Sequence, residues 1–168
     1  FFQVFADYSP ILVGTFPIEL NIESSDLDII CEVYDFEEFV QRCDHYYANC
    51  QGYKMTSSFD HGKQVVVINF IYEGYEIELF GESKSTILQN GYKHMVIEDR
   101  ILAMFGEAFR AEVVALKRRG YKTEPAFGKL LGLDFPYKEL LLLYDLNDQV
   151  LYERLTDTGD EDEYEEEN

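Results

Sequence analysis

Two aspartates separated by a single residue, Asp26 and Asp28, come directly before an apolar stretch in the segment SSDLDIICEV. Alternate side chains of a β-strand point to the same face, so both carboxylates would project to one side. Two anions this close repel each other unless a cation lies between them. Hard divalent cations prefer oxygen ligands. The pair therefore predicts a metal site, and the alternative is a turn or helix cap supported by Ser24 and Ser25.

A third carboxylate is predicted on a later strand, in the segment YEIELFG. Its alternation places Glu76 and Glu78 on one face and Ile77 and Leu79 on the other. Glu78 lies deeper in the strand and is the favoured ligand, with Glu76 as the alternative. Three such carboxylates could hold two Mg²⁺ (or Mn²⁺) ions, which clamp the attacking and leaving oxygens of an in-line phosphoryl displacement.

A glycine-threonine pair, Gly14 and Thr15, precedes the aspartates and follows a short apolar run. A glycine at the end of a strand lets backbone N–H groups approach a phosphate closely. The hydroxyl of Thr15 can donate a hydrogen bond to a terminal phosphate oxygen. Lys84 follows the glutamate strand and is predicted to contact a phosphate, the alternative being a solvated surface lysine. These residues indicate a nucleoside triphosphate as the ligand.

The elements that position these residues follow from the hydrophobic pattern. Apolar runs predict strands over 11–13 and 27–33, and then a helix that Asp35 caps and that ends near Cys50. Three further strands are predicted, joined by turns at 60–62 and 73–74. The order of strands and helices indicates an α+β domain with a mixed β-sheet and a helical C-terminal part from about residue 92.

Within the helical part, one long helix is predicted to run from Gly91 to the cations 117–119 and to stop at Gly120. A short helix should begin at Thr123, and a last one, capped by Asp134, should extend from 136 through 143. Charges on these helices are interpreted as surface groups or caps. The residues interpreted in this way are Glu98, Arg100, Lys117, Arg118, Arg119 and Lys122, although the basic cluster could also contact an anionic acceptor or the acidic tail. His94 is interpreted as a hydrogen-bonded histidine, with a phosphate contact or a catalytic base as the alternatives.

The composition bounds the possible partners. The chain has 168 residues with a net charge of −19, and its last twelve residues, DTGDEDEYEEEN, contain eight acids and no base. We expect a single domain over 1–155 and a solvated, flexible acidic tail over 156–168. An acidic surface repels the phosphates of a long nucleic acid, but a single nucleotide can bind with metal ions that neutralise it.

The cysteines and the hydropathy indicate the cellular compartment of the protein. Three cysteines, an odd number without a CxxC pair, argue against a disulfide framework, and Cys31 is expected to be a buried core residue. No apolar run approaches the length of about 20 residues that a membrane helix needs. The sequence therefore predicts a cytoplasmic protein without a membrane partner, and it does not indicate an oligomeric state.

Gly14-Thr15 followed by Ser25-Asp26-Leu27-Asp28 resembles the G-[ST]…D-x-D signature of the nucleotidyltransferase superfamily, including its minimal and antibiotic nucleotidyltransferases. Residues 8–144 more closely resemble an uncharacterised bacterial family within that superfamily, through LVGTFPI, SSDLDIICEV, YEIELFG, QNGYKHMVIEDRIL and KTEPAFGKLLGL. The resemblance implies metal-dependent transfer of a nucleoside monophosphate from a nucleoside triphosphate to a hydroxyl of a small molecule or a protein. It assigns metal ligation and catalysis to Asp26, Asp28 and Glu78, and nucleotide binding to Gly14, Thr15, Ser25 and Lys84.

The sequence departs from the superfamily pattern in the loop after Thr15. Many members carry an arginine or a second small residue there, whereas this chain has the apolar and acidic segment Phe16-Pro17-Ile18-Glu19. The third acid is a glutamate where aspartate is commoner. These departures support an alternative function, a catalytically inactive nucleotide-binding or regulatory module that keeps the same fold.

Overall fold

A five-stranded sheet forms one half of the molecule in the computed structural model, which describes residues 1–157. The strands are β1 (Ile11–Val13), β2 (Leu27–Glu32), β3 (Lys54–Asp60), β4 (Lys63–Tyr72) and β5 (Tyr75–Glu82). Their spatial order is β1-β2-β5-β4-β3, with β2 and β5 parallel and every other pair antiparallel. The predicted mixed sheet is confirmed, and the two strands that carry the predicted metal ligands are direct neighbours.

Within residues 1–157, five α-helices accompany the sheet, and most of them lie in the C-terminal half as predicted. They are α1 (Phe36–Tyr47), α2 (Asn90–Arg118), α3 (Thr123–Leu131), α4 (Pro136–Tyr144) and α5 (Asp148–Thr156), with short 3₁₀ helices at Phe2–Tyr8 and Thr86–Leu88. The predicted cap of α1 is confirmed, because the Asp35 side chain accepts a hydrogen bond from the Glu38 N–H at 2.9 Å. The α+β class predicted from the sequence is therefore correct.

Two predictions at the C-terminal end are wrong. Asp134 does not cap α4; the N–H of Phe135, the residue before that helix, donates instead to the carboxylate of Glu139 at 2.6 Å. In addition, α4 is not the last helix, because α5 follows and is capped by the side chain of Asn147. The predicted boundary between domain and tail at 155–156 falls at the end of α5, and residues 158–168 of the predicted tail lie outside the described residues.

The buried apolar residues form two clusters. One cluster fills the space between a face of the sheet and α1, and it includes Ile29, Phe39, Leu79 and the predicted core residue Cys31. The other lies among α2 to α5. Because each helix buries one apolar stripe against its neighbours, the helical half has a core of its own. The predicted metal ligands lie where the two halves meet.

A break in α2 at Gly106 corrects the prediction of one continuous helix. Gly106 has φ 77° and ψ −166°, which are not helical angles. A straight helix of 29 residues would be about 43 Å long. Asn90 and Lys117, near its two ends, nevertheless line one cavity, so the chain must change direction between them. An isolated glycine inside a helical pattern was the available signal for this break.

Residues 1–157 contain no helix that combines the length and the apolar character required to span a bilayer.

Substitution of Gly106 by alanine should destabilise the fold by about 1–3 kcal/mol, because these backbone angles are accessible almost only to glycine. The surroundings are open, with no atom within 4 Å of an added Cβ, so the loss would come from backbone strain alone. Urea unfolding of Gly106→Ala measures the effect. The control is Ala108→Gly at an exposed position of the same helix, where a cost of at most about 1 kcal/mol is expected. If both substitutions lowered the free energy of unfolding by the same small amount, the break in α2 at Gly106 would be contradicted.

Candidate metal and nucleotide site

Three carboxylates converge at the junction of β2 and β5. The parallel register pairs Asp28 directly with Glu78, and Asp26 lies two residues before Asp28 on the same face. One oxygen from each of Asp26, Asp28 and Glu78 lies within 4.8 Å of the other two. We call these residues the acidic triad. Within residues 1–157 they are the one group of three acidic, histidine or cysteine residues close enough to share a cation.

The neighbouring strand distinguishes Glu78 from Glu76. Glu76 is exposed and lies outside the acidic triad. Glu78 is half-buried, and its Oε2 accepts a hydrogen bond from the Asn69 side chain at 3.2 Å. Asn69 is the partner of Glu78 in the β4–β5 register, so it can fix the orientation of the carboxylate. The sequence analysis missed Asn69, although a polar residue inside the apolar run VVVINFI was a signal for it.

The electrostatics of the acidic triad suit a divalent cation. Burial, and after it the nearby charges of Asp26 and Glu78, raise the pKa of Asp28 to about 7. A bound cation would relieve this repulsion and favour the ionised carboxylates. All available ligand atoms of the triad are carboxylate oxygens, the donor type that Mg²⁺ and Mn²⁺ prefer over thiolate or imidazole. The residues present therefore fit such an ion.

Gly14 packs directly against the acidic triad. Its φ is 74°, and a Cβ added to it would lie 2.4 Å from Oδ2 of Asp28. Glycine is therefore required here both for the backbone conformation and for the close approach of the carboxylate. The carbonyl of the next residue, Thr15, accepts a hydrogen bond from the Leu20 N–H at 2.9 Å. The structure places Gly14 and Thr15 beside the predicted metal ligands.

The apolar loop after Thr15 is explained by packing. Ile18 and Leu20 are buried in the core of the helical half, so the connection between β1 and β2 is anchored under the helices. The guanidinium of Arg110 donates to the Ile18 carbonyl, and Arg118 forms an ion pair with Glu23 at 3.2 Å. The departure from the superfamily pattern at 16–19 thus has a structural cause.

The predicted nucleotide residue Ser25 has a local role in this same loop. Its hydroxyl oxygen accepts a hydrogen bond from the Ile22 N–H at 2.9 Å and so closes the turn before Asp26. Ser25 also lines the cavity beside the acidic triad. The turn leads directly into Asp26 and β2, and nucleotide contact by Ser25 stays a prediction.

A cavity of about 780 Å³ opens beside the acidic triad, between the sheet and the helices. This volume lies within the range of small-molecule sites. The cavity wall includes Gly14 and Thr15, together with four lysines contributed by β4, the loop after β5, α2 and the loop before α3. These lysines are Lys63, Lys84, Lys117 and Lys122. Lys84 lines the same cavity as the acidic triad, and its phosphate contact stays a prediction. Lys117 and Lys122 reach this cavity from the helical half.

Lys117 is a functional candidate that the sequence analysis interpreted as a helix cap. Its side chain is instead largely buried at the cavity wall, and its ammonium donates to the Thr123 hydroxyl at 3.0 Å. Lys122 also lines the cavity, and its charge acts on Asp28. The sequence analysis missed the cavity position of Lys117 because that position depends on the direction change at Gly106, which brings the end of α2 to the cavity.

Glu98 was wrongly predicted to be a surface charge. Only 3% of it is exposed, and burial raises the pKa of its carboxyl well above the usual range. His94, one helical turn earlier, donates from Nε2 to the Tyr137 carbonyl at 2.8 Å, and its Nδ1 lies 3.7 Å from a Glu124 oxygen. His94 therefore has the hydrogen-bonded environment that the sequence analysis favoured. Arg100 joins α2 to the Tyr144 carbonyl and to Asp148, at 2.9 Å in each case.

The family model described as "Domain of unknown function (DUF4269)" matches residues 1–143, which is most of the chain. The chain belongs to the DUF4269 family. Comparison of the DUF4269 chain with curated proteins gave no match.

Solved structures similar to the DUF4269 chain are nucleotidyltransferases. A mutant of the Cid1 poly(U) polymerase bound to MgATP has a TM-score of 0.50 at 11% identity, covering 84% of this chain and 44% of that chain. The GLD-2/RNP-8 complex has a TM-score of 0.47 at 12% identity, covering 84% and 51%. The DUF4269 chain spans about half the length of these structures. The comparison with Cid1 shows that the fold is of the nucleotidyltransferase type, as the resemblance implied.

The raised pKa of Asp28 predicts a pH-dependent stability of the metal-free DUF4269 chain. Its folded pKa of about 7 exceeds the ordinary value of 3.8, so the carboxyl lowers stability progressively as the pH rises from about 4 through 7. In EDTA, Asp28→Asn should therefore be more stable than wild type at pH 8, on the order of 2 kcal/mol after allowance for partial exposure, and equal to it at pH 4. Chemical denaturation at both pH values measures this difference. A stability difference that is the same at pH 4 and pH 8 would contradict the prediction.

Proposed function

We propose that this DUF4269 chain is a metal-dependent nucleotidyltransferase that moves a nucleoside monophosphate from a nucleoside triphosphate to a hydroxyl of a small molecule or a protein. The observation that carries the proposal is the convergence of Asp26, Asp28 and Glu78 beside Gly14, in a cavity with lysines on its wall. Carboxylates, a glycine turn and cations are the three parts that binding a metal-complexed triphosphate requires.

The lysines account for phosphate binding in a strongly acidic chain. The loop after Thr15 offers no cation, and its apolar residues are committed to the helical core. Lys117 and Lys122 lie on the wall of the cavity that the acidic triad also lines, and they would contact the β- and γ-phosphates there. Backbone N–H groups at Gly14 and the hydroxyl of Thr15 would complete the phosphate site.

Asp26, Asp28 and Glu78 would hold Mg²⁺ or Mn²⁺, which when bound neutralises phosphate charge and aligns the reacting oxygens. The MgATP in the similar Cid1 structure supports this choice of ligands. Glu78, held by Asn69, would accept the proton of the acceptor hydroxyl. The acceptor oxygen then forms a bond to the α-phosphorus, while the bond from that phosphorus to the departing pyrophosphate breaks.

The acceptor is proposed to be a small molecule or a protein side chain. The similar solved structures include RNA-modifying enzymes, but the net charge of −19 disfavours a long polyanion on this chain. We propose that the chain acts in the cytoplasm, and the three free cysteines support this proposal.

Metal-dependent nucleotide binding is the first test. In a thermal-shift titration with ATP, GTP, CTP and UTP, the melting temperature should rise when a nucleotide and Mg²⁺ or Mn²⁺ are present together, and not with either alone. Asp26→Asn and Asp28→Asn should weaken nucleotide binding about 100-fold or more, since changes to groups that merely support a metal ligand already cost 10–100-fold. The matched control is Glu76→Gln, two residues before Glu78 on the same strand. Glu76 is exposed and lies outside the acidic triad, so this variant should bind like wild type. If both aspartate variants bound the nucleotide with wild-type affinity, the proposal would be contradicted.

Pyrophosphate release distinguishes the enzyme from the inactive nucleotide-binding or regulatory module. Incubation of the chain with α-³²P-labelled nucleotide, Mg²⁺ and a cell extract supplies both small-molecule and protein acceptors. Labelled product with equimolar pyrophosphate, absent in Asp28→Asn, is the expected result. Metal-dependent binding without pyrophosphate release would favour the module.

A further inference from the structure

Gln89 is a buried amide at the point where the chain passes from the sheet to the helical half. It is 1% exposed and lies directly before α2. Its side-chain nitrogen, Nε2, donates to the backbone carbonyls of Cys31 and Lys84, at 3.0 Å in each case. Because both partners are acceptors, the atom between them must be the amide nitrogen and not the amide oxygen. Gln89 therefore links β2 to the segment that carries Lys84.

The oxygen of the same amide shows that the two N–H groups are the useful part of this side chain. Within residues 1–157, Oε1 of Gln89 is buried and has no hydrogen-bond partner. A buried polar atom without a partner lowers stability. Methionine has nearly the same size and would avoid this cost, but it would leave the two carbonyls without their donor. An amide at this position thus costs stability and in return joins two parts of the backbone.

The segment between β5 and α2, residues 83–89, is called here the crossover segment. Its beginning is attached to the end of β2 by two further hydrogen bonds. The hydroxyl of Ser83 donates to the Val33 carbonyl at 2.9 Å, and the N–H of Val33 donates to the Glu82 carbonyl at 2.9 Å. The crossover segment therefore starts from a fixed position beside β2.

The other end of the crossover segment is fixed at the start of α2. The backbone N–H of Gln89 donates to the Thr86 carbonyl at 3.2 Å, and its carbonyl accepts from the Lys93 N–H at 3.1 Å. Gly91 packs closely on the sheet, since a Cβ added to it would lie 3.4 Å from a methyl carbon of Ile30. The backbone of Gln89 thus has a defined position, from which its side chain reaches both carbonyls.

Lys84 lies between these two attachments. Its N–H donates to the Glu82 carbonyl at 2.9 Å, and its own carbonyl is held by Gln89. The residue lines the cavity, as does Asp28, which precedes Cys31 by three residues on β2. The lysine side chain is long and flexible, so the position of its backbone decides which part of the cavity its ammonium reaches. The amide of Gln89 therefore sets the position of Lys84 relative to the strand that carries Asp28.

We propose that Gln89 is a positioning residue that holds the backbone of Lys84 against β2, so that the Lys84 ammonium meets the phosphate chain of the metal-bound nucleotide. The inference rests on the proposed function and adds to it a buried support for one of the four lysines of the cavity. Gln89 does not contact the nucleotide; it acts through Lys84.

A double-mutant cycle between positions 84 and 89 tests this role. The dissociation constant is measured for MgATP, or for whichever of the four nucleotides raises the melting temperature most, with wild type, both single variants and the double variant. Lys84→Ala should weaken binding about tenfold or more, because it removes a charged hydrogen-bond donor to phosphate. Gln89→Met should weaken binding by about three- to tenfold when Lys84 is present. In the Lys84→Ala background it should change affinity by less than about twofold, since both substitutions remove the same contact.

The cycle separates positioning from a general structural role. If Gln89 served only the stability of the fold, or acted through β2 and the acidic triad, Gln89→Met would weaken binding equally with and without Lys84. The matched control is Gln41→Met, the same substitution at an exposed glutamine of α1 whose amide donates to Glu37 at 3.2 Å. Its affinity should equal that of the parent protein in both backgrounds.

Gln89→Asn replaces Gln89→Met in the cycle if the methionine variant does not fold. It keeps the amide but is shorter by one methylene, so it should not reach both carbonyls at once and should show the same dependence on Lys84. Equal losses in the two backgrounds would overturn the inference, as would wild-type affinity in Lys84→Ala or in the variant at position 89. If wild type itself shows no metal-dependent nucleotide binding, the proposed function has failed; binding without coupling between the two positions refutes the role of Gln89 alone.

Discussion

Repulsion among three carboxylates is the constraint on which the site depends. The parallel pairing of β2 with β5 forces Asp28 and Glu78 side by side, and the buried neighbours Ile29 and Leu79 fix that register from the opposite face. A slip of one residue would move the acids into the apolar core and the apolar residues to the cavity. The sheet core therefore holds together an arrangement that is unfavourable in the absence of a cation. Burial and this repulsion together raise the pKa of Asp28.

Both halves of the molecule contribute charged residues to one cavity. The sheet supplies the acidic triad and Lys63, and the helical half supplies Lys117, Lys122, Glu98 and Glu124. The loop from Gly14 to Ser25 joins the halves, since it begins against the Asp28 carboxylate and is then buried among the helices through Ile18 and Leu20. Residues 16–25 of the loop include no cation, so the lysines of the cavity wall come from β4, the loop after β5, α2 and the segment before α3.

The sequence predicted features that depend on neighbouring residues better than features that depend on contacts between residues far apart in the chain. Strand periodicity and turn residues are local signals, and they sufficed for the mixed sheet and for the placement of Asp26, Asp28 and Glu78 on one face. The environments of Glu98 and Lys117 depend on a chain reversal between them, so a helical pattern alone placed both on the surface. Gly106 marked the reversal, but a glycine in a helix pattern carries no information on the direction of the chain beyond it. The hydrogen bond of Asn69 likewise required the β4–β5 register.

The distribution of charge, rather than its total, determines which anions this chain can hold. A uniformly acidic surface would repel nucleotides and polynucleotides alike, but here lysines are gathered on the wall of one cavity. The same wall also carries seven acids, so a cation bound by the acidic triad has to act together with the four lysines to attract a phosphate. Surface acids farther away than about 8 Å are largely screened at physiological salt, but a long polynucleotide would have to cross them. This distribution of charge is therefore more compatible with a compact, metal-bound anion than with an extended polyanion.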